Sequence, residues 1–403
     1  MDTRAPLLTA LGLLAACAGP TASLEGVRDL LDDRLQSAHL DPAHLQRRDS
    51  DDDELASDLN RLLGGPIDAD AAVHIALLNN RGLRASMTEL DVALADLRGA
   101  RRVRNPDAEI SALFPTEGNE SPALEFSLMV DLSDLARVGL RAGVADAEYE
   151  RARVMAAAAA LDLAYETRIA FAGLLAAQQN VTLWNEVVVT FRAAWESAEA
   201  MREAGNVPQL DVAQEHALYE ESRLQLATAE LEVLDRREDL NVLLGLTGAQ
   251  VDWTTVATLA PPATSDPELE TVERIAMDRS LELAAGQHRL RALTRRVGLE
   301  RTRGALPALH AGVLAERAAG EWEIGPVLEV ELPLFDQGQG AIGRVQAELA
   351  MALHRYEDLA IRVRSGVRRA RNRYVVARER ANFIRETLVP AREEVLRQAL
   401  FQY

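Results

Sequence analysis

The sequence predicts a mainly α-helical fold with a small β part, arranged as two tandem helix–β-hairpin–long-helix repeats. Three observations carry this reading. Two stretches of strict apolar–polar alternation interrupt otherwise helical patterning, and each is followed by a long run that is free of Pro or nearly so. From the hairpins onward the two halves superpose at an offset of 200 without a gap: Val130 falls on Val330, Gly143 on Gly343, Arg168 on Arg368 and Arg192 on Arg392. The composition agrees, because 48% of the residues are hydrophobic but only 4% aromatic, the balance of long helices rich in Ala, Leu, Glu and Arg.

The elements follow in order. Residues 1–17 read as a lipoprotein signal peptide: an apolar stretch from Leu7 to Ala16 ends in Leu14-Ala15-Ala16-Cys17, with Ala18 and Gly19 behind it. Cys17 is the only cysteine, so no internal disulfide forms. Its surroundings resemble the bacterial lipobox, which implies acylation at Cys17 and, with Ala18 next, sorting to the outer membrane. Residues 18–66 read as an acidic N-terminal linker, with a run of carboxylates from Asp49 to Glu54.

The first repeat spans 67–246. A helix is expected from Asp68 to Arg104, carrying Val73, Leu77, Leu83, Leu90 and Leu97 and stopped by Asn105-Pro106. A hairpin at 107–133 follows. Its first strand alternates Ala108, Ile110, Ala112 and Phe114 with polar residues, and its second alternates Leu124, Phe126, Leu128, Val130 and Leu132 with Glu125, Ser127, Met129 and Asp131. The turn-rich link runs from Pro115 to Pro122. A long helix at 136–203 would extend roughly 100 Å. Gly205-Asn206-Val207-Pro208 turns the chain into a helix at 209–244, with Leu210, Leu224, Leu231 and Leu234 at near-heptad spacing.

An inter-repeat linker at 247–266 leads to the second repeat, 267–403. It holds a helix to about Arg303, a hairpin at 307–333 in which Trp322, Ile324, Leu328 and Val330 alternate with Glu321, Glu323, Glu329 and Glu331, and a long helix at 338–403. By the same offset, the counterpart of the Gly205 turn would fall just past Tyr403, so no partner for the 209–244 helix is expected in this half.

Several function classes drop out. The formal net charge of −19 argues against a nucleic-acid binder, which needs surplus cations to displace counterions from phosphate. No apolar run reaches the roughly 18 residues of a membrane helix. No catalytic constellation is expected: the seven His are scattered, and there is neither a Walker loop nor a Gly-x-Ser-x-Gly motif. No metal site and no cofactor are expected either. The hairpins remain. Strands of this length cross a bilayer when tilted, but in a membrane four strands cannot stand with open edges, so several chains must share one closed barrel.

Three runs carry a family resemblance: Ala76-Leu-Leu-Asn-Asn-Arg-Gly-Leu-Arg-Ala85, Gly205-Asn-Val-Pro-Gln-Leu-Asp211 and Val330-Glu-Leu-Pro-Leu-Phe-Asp-Gln-Gly-Gln-Gly340. With them the chain resembles the TolC family of outer-membrane efflux proteins over roughly residues 20–403. The resemblance implies a homotrimer with a shared 12-stranded barrel in the outer membrane, continued by a helical barrel through the periplasm. It also implies a passive exit duct for an inner-membrane efflux pump, joined by a periplasmic adaptor protein. In that frame Leu124, Phe126, Leu128, Trp322, Ile324 and Leu328 face outer-membrane lipid. Glu125, Asp131, Glu323, Glu329 and Glu331 line the pore and favour drugs or metal ions of positive charge. Gly205, Asn206, Val207 and Pro208 form the periplasmic tip that contacts the adaptor. With no second tip, a trimer would offer three tips and nine lower helices. A periplasmic coiled-coil scaffold or adaptor protein is the competing reading; it explains the helices but neither the hairpins nor the lipobox.

Overall fold

The computed structural model describes Val27, Asp29, Leu30 and residues 52–114, 122–255, 259, 270–318 and 321–401. Cys17, most of the N-terminal linker, the first hairpin turn and the Pro261-Pro262 segment lie outside the described residues.

The N-terminal linker is not wholly irregular. Asp52–Leu63 forms helix α1, which buries Leu59 among Val27, Ile67, Val73 and Leu244. The helix expected at 68–104 divides into α2 (Ala69–Asn79) and α3 (Arg81–Ala100). The break is local chemistry: Asn80 takes extended backbone angles, and its side-chain oxygen accepts a hydrogen bond from Leu83 N–H at 2.9 Å, capping α3. Strands β1 (Asp107–Leu113) and β2 (Ala123–Asp131) follow. The long helix α4 (Leu132–Glu203) begins four residues earlier than the sequence suggested, because the Asp131 carboxylate accepts from Asp134 N–H and starts the helix there. Leu132, expected in the strand, is therefore the first residue of α4. At 72 residues, α4 is about 110 Å long.

Helix α5 (Gln209–Leu244) returns along α4. Its leucine seam does not face α4. Val212, Ser222, Ala229 and Leu240 are buried, whereas Leu210, Leu224, Leu231 and Leu234 stand exposed. A short 3₁₀ turn, Gly248–Val251, opens the inter-repeat linker. The second repeat breaks its first helix at the position equivalent to Asn80: α6 (Val272–Arg279) ends at Ser280, whose side chain caps α7 (Leu281–Ala305) through Leu283 N–H. Strands β3 (Leu309–Ala318) and β4 (Glu321–Val330) then lead to α8 (Gln339–Phe383). Pro333 stands where the first repeat has Ser133 and resists helix there, so α8 starts seven residues later than α4 relative to the offset. The last long helix is also not continuous: a π turn at Ile384–Leu388 separates α8 from α9 (Val389–Phe401). Pro390 has no N–H to donate to the Glu386 carbonyl, and the chain adjusts just upstream, where Val389 N–H reaches back to Ile384.

The four strands form one antiparallel sheet in the order β1-β2-β3-β4. The helices continue the same order as a wall, α3 against α4, α4 against α7, α7 against α8. Duplication is visible in the register: Ala108 pairs with Leu128 and Ala311 with Leu328, so β4 sits 200 positions from β2 but β3 sits 203 from β1. The three extra residues before β3 are offset by the shorter link between β3 and β4 than between β1 and β2.

The core lies at mid-height, where α2 and α3 part. Phe171, Leu174 and the alanines from Ala156 to Ala160 on α4 meet Ile75, Leu78, Leu240 and Leu244. Small side chains on α4 let neighbouring helices approach closely, and Phe171, only 2% exposed, fills the space between them.

Candidate channel site

The sheet separates chemistry onto two faces. Pairing carries the alternation across strands: Leu128, Val313 and Pro326 share one row, and Phe126, Ala315 and Ile324 the next. Ala108, Ile110 and Ala112 on β1 join the same face. This face is apolar and bare. Ile110 is 72% and Ile324 73% exposed, and Leu128, Val313, Trp322 and Leu328 are exposed beside them. Phe126 and Trp322, two strands apart, meet over the small Ala315 with ring centroids 5.8 Å apart. Leu124 lies in the row of Arg317 and Trp322, so one arginine interrupts the face near its far end. An apolar sheet face of this extent is not a water-facing surface.

The opposite face carries the carboxylates. Glu125, Glu316 and Glu323 occupy adjacent strands in a single row, with Ser111 beside them on β1. Neighbouring positions in such a row lie about 5 Å apart at Cβ. A second row near the helices holds Asp131, His310 and Glu329. Glu316 and His310 were not singled out in the sequence, because their face depends on the pairing of β3, and β3 lacks the sharp alternation of β2 and β4. Two expected pore acids differ in role. Asp131 accepts from Ser133 and from Asp134 N–H, so its carboxylate is committed to starting α4. Glu331 lies past the end of β4, where its N–H donates to the Ala308 carbonyl.

Below the sheet, α4 ties the two entry segments together. Asp134 is buried and pairs with Arg141, while Arg104 N–H donates to it at 3.1 Å. Arg141 also reaches the carbonyls of Ala100 at 3.2 Å and Arg102 at 2.8 Å, and Arg137 donates to the Leu306 carbonyl of the second repeat. The Arg141 guanidinium first, then the Arg104 amide, hold the Asp134 carboxyl below its ordinary range. This clamp was not legible in the sequence, since three of its acceptors, at Ala100, Arg102 and Leu306, are backbone carbonyls.

At mid-height Asn79, only 4% exposed, donates to the carbonyls of Leu244 at 3.0 Å and Gly245 at 2.7 Å, and Asn80 donates to Leu243. The Leu-Leu-Asn-Asn-Arg-Gly run thus latches the returning end of the α4–α5 hairpin. Gly245 is required there: its φ is +66°, and a Cβ would lie 2.8 Å from the Asn79 carbonyl oxygen.

The hairpin turns at Gly205–Pro208. Asn206 N–H bonds to the Met201 carbonyl and Gly205 N–H to Arg202, each at 2.9 Å, with Gly205 at φ +80°, which closes α4 as a Schellman turn. Helix α5 begins at Gln209, as the sequence suggested, and Pro208 is the residue just before it. Ten residues above the turn, Trp195 stacks on Tyr219 at 5.5 Å and touches His216 at 4.6 Å, an aromatic clasp across the hairpin.

No helix among the described residues is long and apolar enough to cross a membrane, and no group of three or more His, Cys, Asp or Glu among them could hold a metal ion.

Residues 72–246 match the sequence model of a family described as outer membrane efflux protein. The chain is 24% identical over 341 residues to the cobalt-zinc-cadmium resistance protein CzcC of Cupriavidus metallidurans, covering 84% of this chain and 80% of that protein. Both findings agree with a likeness to TolC-family outer-membrane efflux proteins. Outer membrane protein OprJ of Pseudomonas aeruginosa is 25% identical over 332 residues, covering 73% of this chain and 64% of OprJ. Among solved structures, the outer-membrane channel OprN superposes with a TM-score of 0.67 at 20% identity, over 87% of this chain and 81% of that one. Outer membrane protein VceC of Vibrio cholerae superposes at 0.65 with 16% identity, over 84% of each chain. The likeness to outer-membrane efflux proteins supports a place in the cell outer membrane and a role in transport rather than catalysis.

Proposed function

We propose that three copies of this chain assemble a passive exit duct through the outer membrane, the outermost part of a tripartite efflux pump. The observation that carries this is the sheet: one bare apolar face, one acidic face, and open edges at β1 and β4. Unpaired edges are not tolerated in hydrocarbon, and four strands do not close on themselves. Three copies give twelve strands, an even number in the usual range for outer-membrane barrels. The apolar face, with Leu124, Phe126, Leu128, Trp322, Ile324 and Leu328, meets lipid. The row of Glu125, Glu316 and Glu323 lines the outer part of the pore, with Glu329 further in. An acylated Cys17 adds an anchor to the same membrane.

The α4–α5 hairpin carries Gly205–Pro208 about 110 Å from the sheet, where a periplasmic adaptor protein joins it to an inner-membrane pump. A pore ringed by carboxylates favours cations, so the cargo is a metal ion or a cationic drug. The likeness to a protein named for cobalt, zinc and cadmium resistance agrees with the first.

The test is conductance. Purified full-length protein in a planar lipid bilayer should form steps of uniform size that prefer cations. Glu125→Arg with Glu323→Arg should keep the step and shift the preference towards anions. Assembled protein that never conducts, or selectivity unmoved by the two substitutions, would overturn the duct and the pore-lining assignment respectively. Cross-linking from Val207 to a co-expressed adaptor tests the tip.

A further inference from the structure

Arg317 is the only charged residue on the apolar face of the four described strands. Its row runs Ala112, Leu124, Arg317, Trp322 from β1 to β4. The side chain is half-buried, its Nε is shielded from solvent, and that N–H meets no acceptor among the described residues. Glu316 and Glu323, the nearest carboxylates along the ladder, lie on the opposite face. Because β3 is paired on both sides within the chain, to β2 and β4, Leu124 and Trp322 come from the same copy. No strand of a second copy can lie next to Arg317.

Its height on the sheet is specific. The helices join the sheet at Leu309 and Val330, and Arg317 stands eight residues up β3 from Leu309. That is about 27 Å along the strand and, at a tilt of about 40°, about 21 Å along the barrel axis. An outer-membrane barrel carries an apolar band about 25 Å tall, so Arg317 falls near the margin of the band away from the helices. Aromatic rings collect at the same level. Trp322 is the direct partner of Arg317 and half exposed, and Phe126 touches Trp322. The register that relates Ala311 to Ala108 relates Arg317 to Phe114, which is exposed. The first repeat thus puts an aromatic ring where the second puts a cation, and both residue types suit the boundary between hydrocarbon and headgroups.

We infer that Arg317 binds the phosphate of an outer-leaflet lipid, a phosphorylated glycolipid of the lipid A type. A guanidinium on a lipid face needs a counter-charge, and its planar fork matches a phosphate with two parallel hydrogen bonds. The apolar stem lies along the sheet while the head reaches the headgroup level. Acyl chains of the same lipid run down the face over Ile324, Val313 and Leu128. The site rests on the barrel proposed above, with the helices on the periplasmic side, and adds to it a fixed lipid at each subunit's outer rim. A phosphate held there also sets how deep the sheet sits, because the cost of an arginine on the lipid face rises steeply towards the midplane.

The experiment titrates full-length protein in detergent with diphosphorylated lipid A and with the same lipid stripped of both phosphates, and reads binding by native mass spectrometry. The parent should bind the phosphorylated lipid about tenfold or more tightly than the stripped one. Arg317→Gln should remove that preference and Arg317→Lys should keep part of it, while Arg223→Gln on α5 should keep all of it. Glutamine takes a charge off the lipid face, so this variant should reach the outer membrane as well as the parent does. No preference in the parent, or a preference that survives Arg317→Gln, overturns the site. A glutamine variant missing from the outer membrane also overturns it, because the arginine would then serve the fold. Displacement of the lipid by millimolar inorganic phosphate would assign the site to a free anion and overturn the lipid. A cysteine at position 324 that reacts with a charged thiol reagent in intact membranes would overturn the barrel and the site together, an outcome separate from all the others.

Discussion

Replacing Asn79 with Ala tests how the tip hairpin is held. Asn79 is nearly inaccessible, and its side-chain amide spends both donors on the carbonyls of Leu244 and Gly245, at 3.0 and 2.7 Å. Truncation removes two hydrogen bonds and strands the carbonyls of Leu244, which is buried, and of Gly245, which is partly so. A net hydrogen bond contributes about 1 kcal/mol and an orphaned buried acceptor costs about 1–3 kcal/mol, so the expected loss is about 3–5 kcal/mol. Asp at the same position is worse, because a carboxylate would face the two carbonyl oxygens. Thermal unfolding of the detergent-solubilised full chain measures the loss, and limited proteolysis near Gly245 locates it. Asn185→Ala is the control, since that side chain is exposed and bonds only within its own helix. Equal stability of the two variants would refute the latch.

Three further outcomes follow from the same geometry. Leu128→Arg or Leu328→Arg on the apolar sheet face should cost about 2–4 kcal/mol near the bilayer midplane, read as loss of folded protein in the outer membrane, whereas Arg at Glu329 should be tolerated. Asp134→Asn leaves Arg141 without its buried carboxylate and should cost about 3–5 kcal/mol. Because the folded-state carboxyl is held below its ordinary value, this stabilisation is complete above about pH 4 and drains as pH falls further, so the variant and parent should converge in acid. Cys17→Ala should abolish incorporation of labelled fatty acid while leaving assembly intact; continued labelling would refute the lipid anchor.

The two hairpins and the turn at Gly205–Pro208 were legible because each rests on local pattern, alternation for strands and Pro and Gly for stops, and the repeat because of the 200-residue offset. Breaks at Asn80 and Ser280 were not, since a capping side chain looks like any polar residue until the helix on either side is seen to change direction. The leucine seam of α5 was legible as a seam but not in its direction, because periodicity does not say which neighbour a stripe meets. Of the acids expected to line a pore, Glu125 and Glu323 could be placed on the polar sheet face from strand parity. Glu316 was hidden because the apolar face of β3 carries Ala311, Ala315 and Arg317 around a single Val313, too weak an alternation to fix its parity, and Asp131 looked like a pore residue although its backbone position makes it a helix cap.

The claim at the centre of this account is that the sheet has one lipid face and one water face. It is tested most directly by single cysteines along β4, at Glu323, Ile324, Leu328 and Glu329, in the Cys17→Ala background and probed in intact outer membranes. A membrane-impermeant charged thiol reagent should label positions 323 and 329 and spare 324 and 328. A lipid-soluble reagent should do the reverse. Uniform labelling along the strand by the charged reagent would contradict the account, because it would put both faces of the sheet in water.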